Sequence, residues 1–459
     1  MNTQNHIGNN KRLEQQSNLL ISSDWLARFA QFNKLIVGFS GGLDSTVLLH
    51  ALSAHLDLRF KLIAVHVNHG ISPNAASWQN HCEQWCSQYG IALIRESVQF
   101  NRSANVEERA RIARYAAFAS LMTTDACLIL GHHQDDQAET VLLQLFRGAG
   151  IDGLAAMTEW GNFSTGVLAR PFLKCSRSQL ERYAVQHQLT WIEDESNQDS
   201  SYSRNYLRRQ IMPMLLEKWP GVVKTIARTA IHCQQAKNNL DALAEYDFSM
   251  SQTAEHEELR SNSLFIEPLL DLNIERLANI LRVWLRNNQV QFPATPIFNR
   301  LIYEVIFARH DAVPEVSWGN NLIRRYQNRL FLDKKNEINL PTCTEWVEFP
   351  APLTIETAEI NLFAKEMRQG LSIPNGAKLV IKFRQGGEIF NWHGQSKQLK
   401  KLLQEWGVPP WLRDRVPLVY VDDQLAAVVG YAVSDLFFNP SAGWLLSASS
   451  CGGEGEEPL

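Results

Sequence analysis

With 459 residues, 45% hydrophobic and 20% charged, the chain has an ordinary soluble-protein composition and is too long for one core, so roughly two to four domains are expected. A formal net charge of -4 argues against bulk nucleic-acid binding and leaves local basic patches to be sought separately. No apolar run approaches the ~20 residues that span a bilayer, the N-terminus MNTQNHIGNNKRLEQQSN has no apolar signal region, and seven scattered cysteines form no disulfide framework, which together predict a cytoplasmic protein with no membrane partner.

Over roughly the first 215 residues strand-like and helix-like patterns alternate. Strands are predicted at 34–39, 61–67, 91–98, 126–131 and 166–170, and helices at 45–56, 75–89, 106–123 and 136–146. Asn105, with Glu108 three residues on, reads as a capping box for the third helix. This alternation predicts a parallel sheet flanked by helices, with ligands beyond the carboxyl ends of the strands. Gly41-Gly42, Asn68-His69-Gly70 and His132-His133 all fall at that edge, so their loops should converge on one site. From about Gly221 to Asn336 the pattern turns helical, and Leu277, Ile280, Leu281, Trp284 and Leu285 share one stripe, expected as core. A polar stretch around 336–344 reads as a linker, and the last ~100 residues read as a small α+β module with a Gly/Glu-rich tail. The expected domains are 1–220, 221–336 and 345–445, with a disordered tail at 446–459.

The stretch SGGLDS (Ser40, Gly41, Gly42, Leu43, Asp44, Ser45) stands where the first strand meets a helix. Glycine leaves backbone N–H groups free to close on a phosphate, Ser40 and Ser45 add hydroxyls, and the helix directs its positive end at the anion. Asp44 would repel a bare phosphate but can hold a Mg²⁺ that bridges phosphate oxygens, which suits a pyrophosphate leaving with its metal. The alternative is a glycine turn with no ligand.

In GHHQDDQAET (131–140), Asp136 and Glu139 are three apart and share a helix face, a seat for a metal or a substrate ammonium. The competing readings are an acidic first turn complementing the helix dipole and a metallophosphoesterase HHxDD set. Cys82 and Cys86 sit i,i+4 on an amphipathic helix without a second pair, which predicts core packing. Two basic clusters offer RNA contacts. Arg204, Arg208 and Arg209 form the first. In 382–415, seven basic residues, among them Arg384, Lys397, Lys400 and Lys401, face three acids, with Phe383, Trp392, Trp406 and Trp411 between them as core or stacking surfaces.

The SGGLDS loop resembles the ATP pyrophosphatase family with an SGGxDS loop, whose members adenylate an oxygen and release pyrophosphate. Together with VNHG (67–70), EERARIARY (107–115), GHHQDDQAET and EDESNQDSSYSRNYLRR (193–209), it resembles the tRNA(Ile)-lysidine synthetase family, strongly over about 30–215 and again in QSKQLKKLLQEWGVPPWLRDRVPLVY (395–420). The resemblance implies an α/β catalytic domain of ATP pyrophosphatase type, a helical middle domain and a small α+β C-terminal domain. It implies ATP and Mg²⁺ as cofactors, and as partners L-lysine and the isoleucine tRNA with a CAU anticodon, whose wobble cytidine is modified; a homodimer is compatible with it. By resemblance 40–45 and His132 bind ATP, Asp136 and Glu139 hold the lysine, and Arg111 or else Arg114 stands at the reaction centre.

Overall fold

The computed structural model describes residues 20–70, 72–98, 106–195, 199, 202–251, 262–309, 312–335, 339–374 and 376–450. The chain divides into two units, Met1–Leu243 and Ala244–Leu459. In chain order the first contains α1 (Ser23–Ala30), β1 (Lys34–Gly38), α2 (Leu43–Ser53), β2 (Leu62–Asn68), α3 (Ala75–Tyr89), β3 (Ala92–Ser97), α4 (Val106–Ala119), β4 (Ala126–Ile129) and α5 (Gln134–Phe146). There follow β5 (Trp160–Phe163), β6 (Gly166–Ala169), α6 (Arg177–Gln186) and α7 (Ser203–Tyr206), the last continued by a π-turn at Leu207–Ile211 and by Met212–Lys218. The long α8 (Val222–Ser251) runs across the division between the units.

Because side chains alternate along a strand, β1 feeds two apolar layers. Leu35 and Val37 join Val47, Leu48 and Leu52 of α2 and Trp85 of α3, while Ile36 joins Phe118 of α4 and Val65 and Leu128 of its neighbouring strands. The sheet order is β3-β2-β1-β4-β6-β5. The strand order reverses between β1 and β4, and a crevice opens at such a switch point beyond the carboxyl ends.

All five expected strands are present within two residues of the expected bounds, and α3 matches at both ends. The sheet is parallel except for β5, an edge strand that pairs antiparallel with β6 and was not foreseen. The helix expected to run to 123 stops at Ala119, and the expected cap at Asn105 lies outside the described residues. Cys82 and Cys86 are buried in the core, as expected.

In the second unit α9 (Ile274–Asn287) buries Leu277, Ile280, Leu281, Trp284 and Leu285, the predicted stripe. This region also holds a four-stranded antiparallel sheet that the helical reading missed, running β7 (Ser263–Phe265), β10 (Arg329–Lys334), β9 (Asn321–Tyr326) and β8 (Glu315–Trp318). Arg325 of β9 is buried, and its Nη1 donates to the carbonyls of Ile306 at 2.6 Å and Ala308 at 2.9 Å, satisfying acceptors that a helix end leaves unpaired.

The C-terminal part is α+β, with two five-stranded sheets, a two-stranded ribbon and a helix, α10 (Leu399–Glu405). Residues 446–450, expected in a disordered tail, instead complete the last strand (Gly443–Ser450), where Leu446 and Ala448 are buried; 451–459 lie outside the described residues.

Candidate active site

β1 ends at Gly38 and the chain turns into α2, whose N-cap is Gly42. Gly41 has φ +81°, and a Cβ there would stand 2.7 Å from Ile192 Cδ1 and 3.0 Å from Cys82 Sγ. Torsion and space both demand glycine. Ser40 N donates to Ser45 Oγ at 3.2 Å, Ser45 Oγ donates to Gly42 O at 3.0 Å, and Gly42 N donates to Ser40 Oγ at 3.3 Å. Both serine hydroxyls thus engage the loop itself. Ile192 N donates to Gly41 O at 2.8 Å and straps the turn from outside.

Asp44 lies in the first turn of α2, and its buried Oδ1 has no hydrogen-bond partner among the described residues. Across the switch point stands His133, the N-cap of α5, with Nε2 3.6 Å from Asp44 Oδ1 and 3.4 Å from Asp136 Oδ2. Burial disfavours charge on this imidazole, but Asp135, Asp44 and Asp136 outweigh it and push its pKa up to about 10. The Asp135 N–H that donates to Nδ1 at 3.2 Å needs a free lone pair and so describes the neutral ring. The surrounding carboxylates are the stronger influence, and a divalent cation on Asp44 would oppose them.

Gly131 packs directly on α2: a Cβ would sit 3.0 Å from Asp44 O and 3.1 Å from Asp44 C. Gly131→Ala is therefore expected to displace the loop, costing about 1–3 kcal/mol and lowering kcat/KM for ATP; thermal melts and ATP titrations check this.

Asp136 and Glu139 share the inner face of α5, as their spacing predicts, and both are buried. Two arginines from one face of the α7 segment cover them. Arg208 donates from Nε to Glu139 Oε1 at 2.6 Å and from Nη2 to Glu139 Oε2 at 2.9 Å and Asp136 Oδ1 at 3.0 Å. Arg204 Nε donates to Glu139 Oε2 at 3.0 Å, and its Nη2 to Thr140 Oγ1 at 3.0 Å. Burial pushes the Asp136 carboxyl up, but His133 and the two guanidiniums prevail and hold it down at about 2.

These residues fit a nucleotide with Mg²⁺. Among the described residues no group of three or more His, Cys, Asp or Glu could hold a metal, so an ion beside Asp44 would draw most of its ligands from outside the protein.

Three family models match in chain order: a PP-loop domain over 9–215, a TilS substrate binding domain over 264–331 and a TilS substrate C-terminal domain over 379–448. The tRNA(Ile)-lysidine synthase of Legionella pneumophila (strain Paris) is 58% identical over 94% of this chain and 99% of its own. The chain belongs to the tRNA(Ile)-lysidine synthase family. More distant members of that name are similar over most of their length: that of Coxiella burnetii (strain RSA 493 / Nine Mile phase I) is 38% identical over 89% of this chain and 91% of its own, and that of Shigella flexneri 39% over 87% and 92%.

For a lysidine synthase, the placement of the basic residues differs most from the sequence reading. Arg204 and Arg208, read as RNA contacts, are ion-paired inside the catalytic unit with acids more than sixty residues away in the chain, while Arg209 is exposed. In the second unit Arg384 Nη1 donates to Asp414 Oδ1 at 2.6 Å and Lys397 Nζ to Glu405 Oε2 at 3.2 Å, so both are locally neutralised. Lys400 and Lys401 are exposed on α10. Phe383 is buried, and Trp392 and Trp406 pack against the C-terminal core.

Arg170, at the end of β6, was not singled out from sequence. It is buried, and its Nε donates to His132 Nδ1 at 3.2 Å, which leaves the hydrogen of the neutral ring on Nε2. Burial, with Arg170, Arg204 and Arg114, pushes the pKa of His132 down to about 3 against the pull of Asp136. Burial and then Arg114 likewise lower His69 to about 4. The charge of Arg114 therefore reaches two strand-end histidines, and that of Arg111, which lies over the Tyr115 ring at 5.1 Å, reaches Arg170.

Proposed function

We infer that the chain ligates L-lysine to C2 of the wobble cytidine in the CAU anticodon of tRNA(Ile), converting ATP to AMP and pyrophosphate through an adenylated cytidine and changing the codon read from AUG to AUA. The observation that carries this is the 58% identity to a lysidine synthase across 94% of the chain. The switch-point crevice, with its glycine loop, unpaired Asp44 oxygen and acid pair, supplies the chemistry.

We assign the residues as follows. The loop 40–45 receives the phosphates of ATP, and His132 Nε2–H donates to the nucleotide. Asp44 would hold Mg²⁺, which neutralises phosphate charge as pyrophosphate departs. The cytosine O2 attacks the α-phosphorus, and Arg111 or Arg114 balances the charge that develops there. Arg114 lies close enough to lower the His132 pKa and Arg111 close enough to lower that of Arg170 beside it, so both stay candidates. The ε-amine of lysine then attacks C2, the C2–O bond breaks, and AMP leaves with the oxygen. This amine has a pKa of ~10.4 in solution and must lose a proton first. Asp136 and Glu139 would first hold the ammonium and then take its proton once the guanidiniums are displaced. Lysine would take the place of a guanidinium on this pair.

The test is pyrophosphate release with the CAU-bearing tRNA, with and without lysine, followed by mass spectrometry of the tRNA. A lysine adduct on the cytidine is expected. No pyrophosphate in any combination would favour a non-catalytic RNA-binding protein, and a different adduct another SGGxDS-loop tRNA-modifying enzyme.

Lys400 and Lys401 are our candidates for phosphate contact in the C-terminal part, together with Arg384 and Lys397 once their acids are displaced; Arg209 is the candidate in the catalytic unit. Replacing Lys400 and Lys401 by Ala should flatten the dependence of tRNA affinity on salt by roughly two in log–log slope, as filter binding at several salt concentrations would measure. The matched segments support domain boundaries near 220 and 340. No helix among the described residues is long and apolar enough to cross a membrane. Cytoplasmic location and a homodimer complete the reading; light scattering tests the latter.

A further inference from the structure

The inner face of α3 passes beside the glycine loop. Cys82, Trp85 and Cys86 on that face are apolar and buried. His81 differs. Its Cδ2 lies 3.6 Å from where a Gly41 Cβ would be, and Nε2, one bond further round the ring, is buried without a hydrogen-bond partner among the described residues. A buried polar atom left unpaired costs about 1–3 kcal/mol, and native proteins pair nearly all of them. The neighbouring His66 shows the ordinary solution, with Nδ1 3.0 Å from Phe39 O and 3.4 Å from Cys82 Sγ. Nothing of that kind among the described residues reaches His81 Nε2. The group that the reaction brings to Gly41 is a phosphate.

We propose that His81 is a nucleotide-binding residue, whose ring donates Nε2–H to a phosphate oxygen of ATP beside Gly41. This rests on the reading of 40–45 as the ATP loop. Ile192, Cys82 and His81 crowd the same side of Gly41, the one its absent Cβ would take, and His81 brings a ring donor there, while the serine hydroxyls are already engaged in shaping the turn. His81 then acts on ATP alone and leaves the lysine seat untouched.

The test compares His81→Leu, His81→Gln and Gly41→Val by calorimetric binding of a non-hydrolysable ATP analogue, by KM for ATP and for lysine, and by thermal melting. Gln is the informative partner because its amide nitrogen sits close to the place of Nε2. Leu is expected to weaken analogue binding by about 10–100-fold with the lysine KM unchanged and the melting temperature no lower, and Gln to recover most of the loss. Wild-type analogue affinity in His81→Leu overturns the proposal, as does an equal loss in Leu and Gln accompanied by a lower melting temperature, which would make His81 a packing residue. Gly41→Val separates the two readings. If it retains analogue binding, the ATP loop itself is misassigned; if it loses binding while His81→Leu does not, only the role of His81 fails.

Discussion

Asp44→Asn is expected to slow pyrophosphate release by about 10³-fold while the protein melts as before. The amide keeps the shape of the carboxylate, so the first turn of α2 stays packed against Gly131. What goes is the negative charge on an oxygen that has no hydrogen-bond partner among the described residues and faces His133 Nε2 at 3.6 Å. A bound Mg²⁺ would then lose its one protein carboxylate, and residual turnover should need a much higher concentration of the ion. Single-turnover release assays across a Mg²⁺ titration measure both effects. Near-wild-type rates at ordinary Mg²⁺ would remove Asp44 from the metal role.

Glu139→Ala should be costly in two separable ways. Its buried carboxylate accepts from both Arg204 and Arg208, and removing one partner from a buried ion pair costs roughly 3–5 kcal/mol. Arg204 and Arg208 keep side-chain exposures of 24% and 33%, so water relieves part of this and the lower end is expected. The KM for lysine should rise by about 10–100-fold, the worth of a charged hydrogen bond, with the KM for ATP within about threefold. Glu139→Gln, which keeps the shape and some of the hydrogen bonding, should separate the kinetic effect from the loss of stability. Equal rises in both KM values would argue against a lysine seat on α5.

Short-range physics was legible in the sequence. The strand–glycine–helix junction at 38–43 could be placed because apolar alternation, a torsion only glycine tolerates and a helix start coincide within a few residues. α3 was bounded correctly because Gly90 ends it in a left-handed conformation, φ +63°. The misses share a cause in distance along the chain. β5 reads WGNF, with little β-branching, and becomes a strand because β6 is beside it. The middle sheet depends on pairing between Ser263–Phe265 and a strand more than sixty residues later. Arg204 and Arg208 look like an RNA-facing run until α5 is brought against them, and Arg170 is a lone arginine until His132 comes within 3.2 Å. Residue types therefore pointed to the site, whereas their partnerships required the fold.

The guanidiniums over Asp136 and Glu139 have a consequence for selectivity. They are anchored to the same molecule as the carboxylates, so their local concentration is on the order of millimolar or higher, whatever the surrounding medium contains. A bystander diamine or alkali ion meets an acidic hollow whose charge is already balanced, and it gains little by entering. Only a visitor that brings further points of attachment beyond its cationic end can evict a resident side chain, so two carboxylates that would otherwise attract every small cation are screened from all but a multiply held guest.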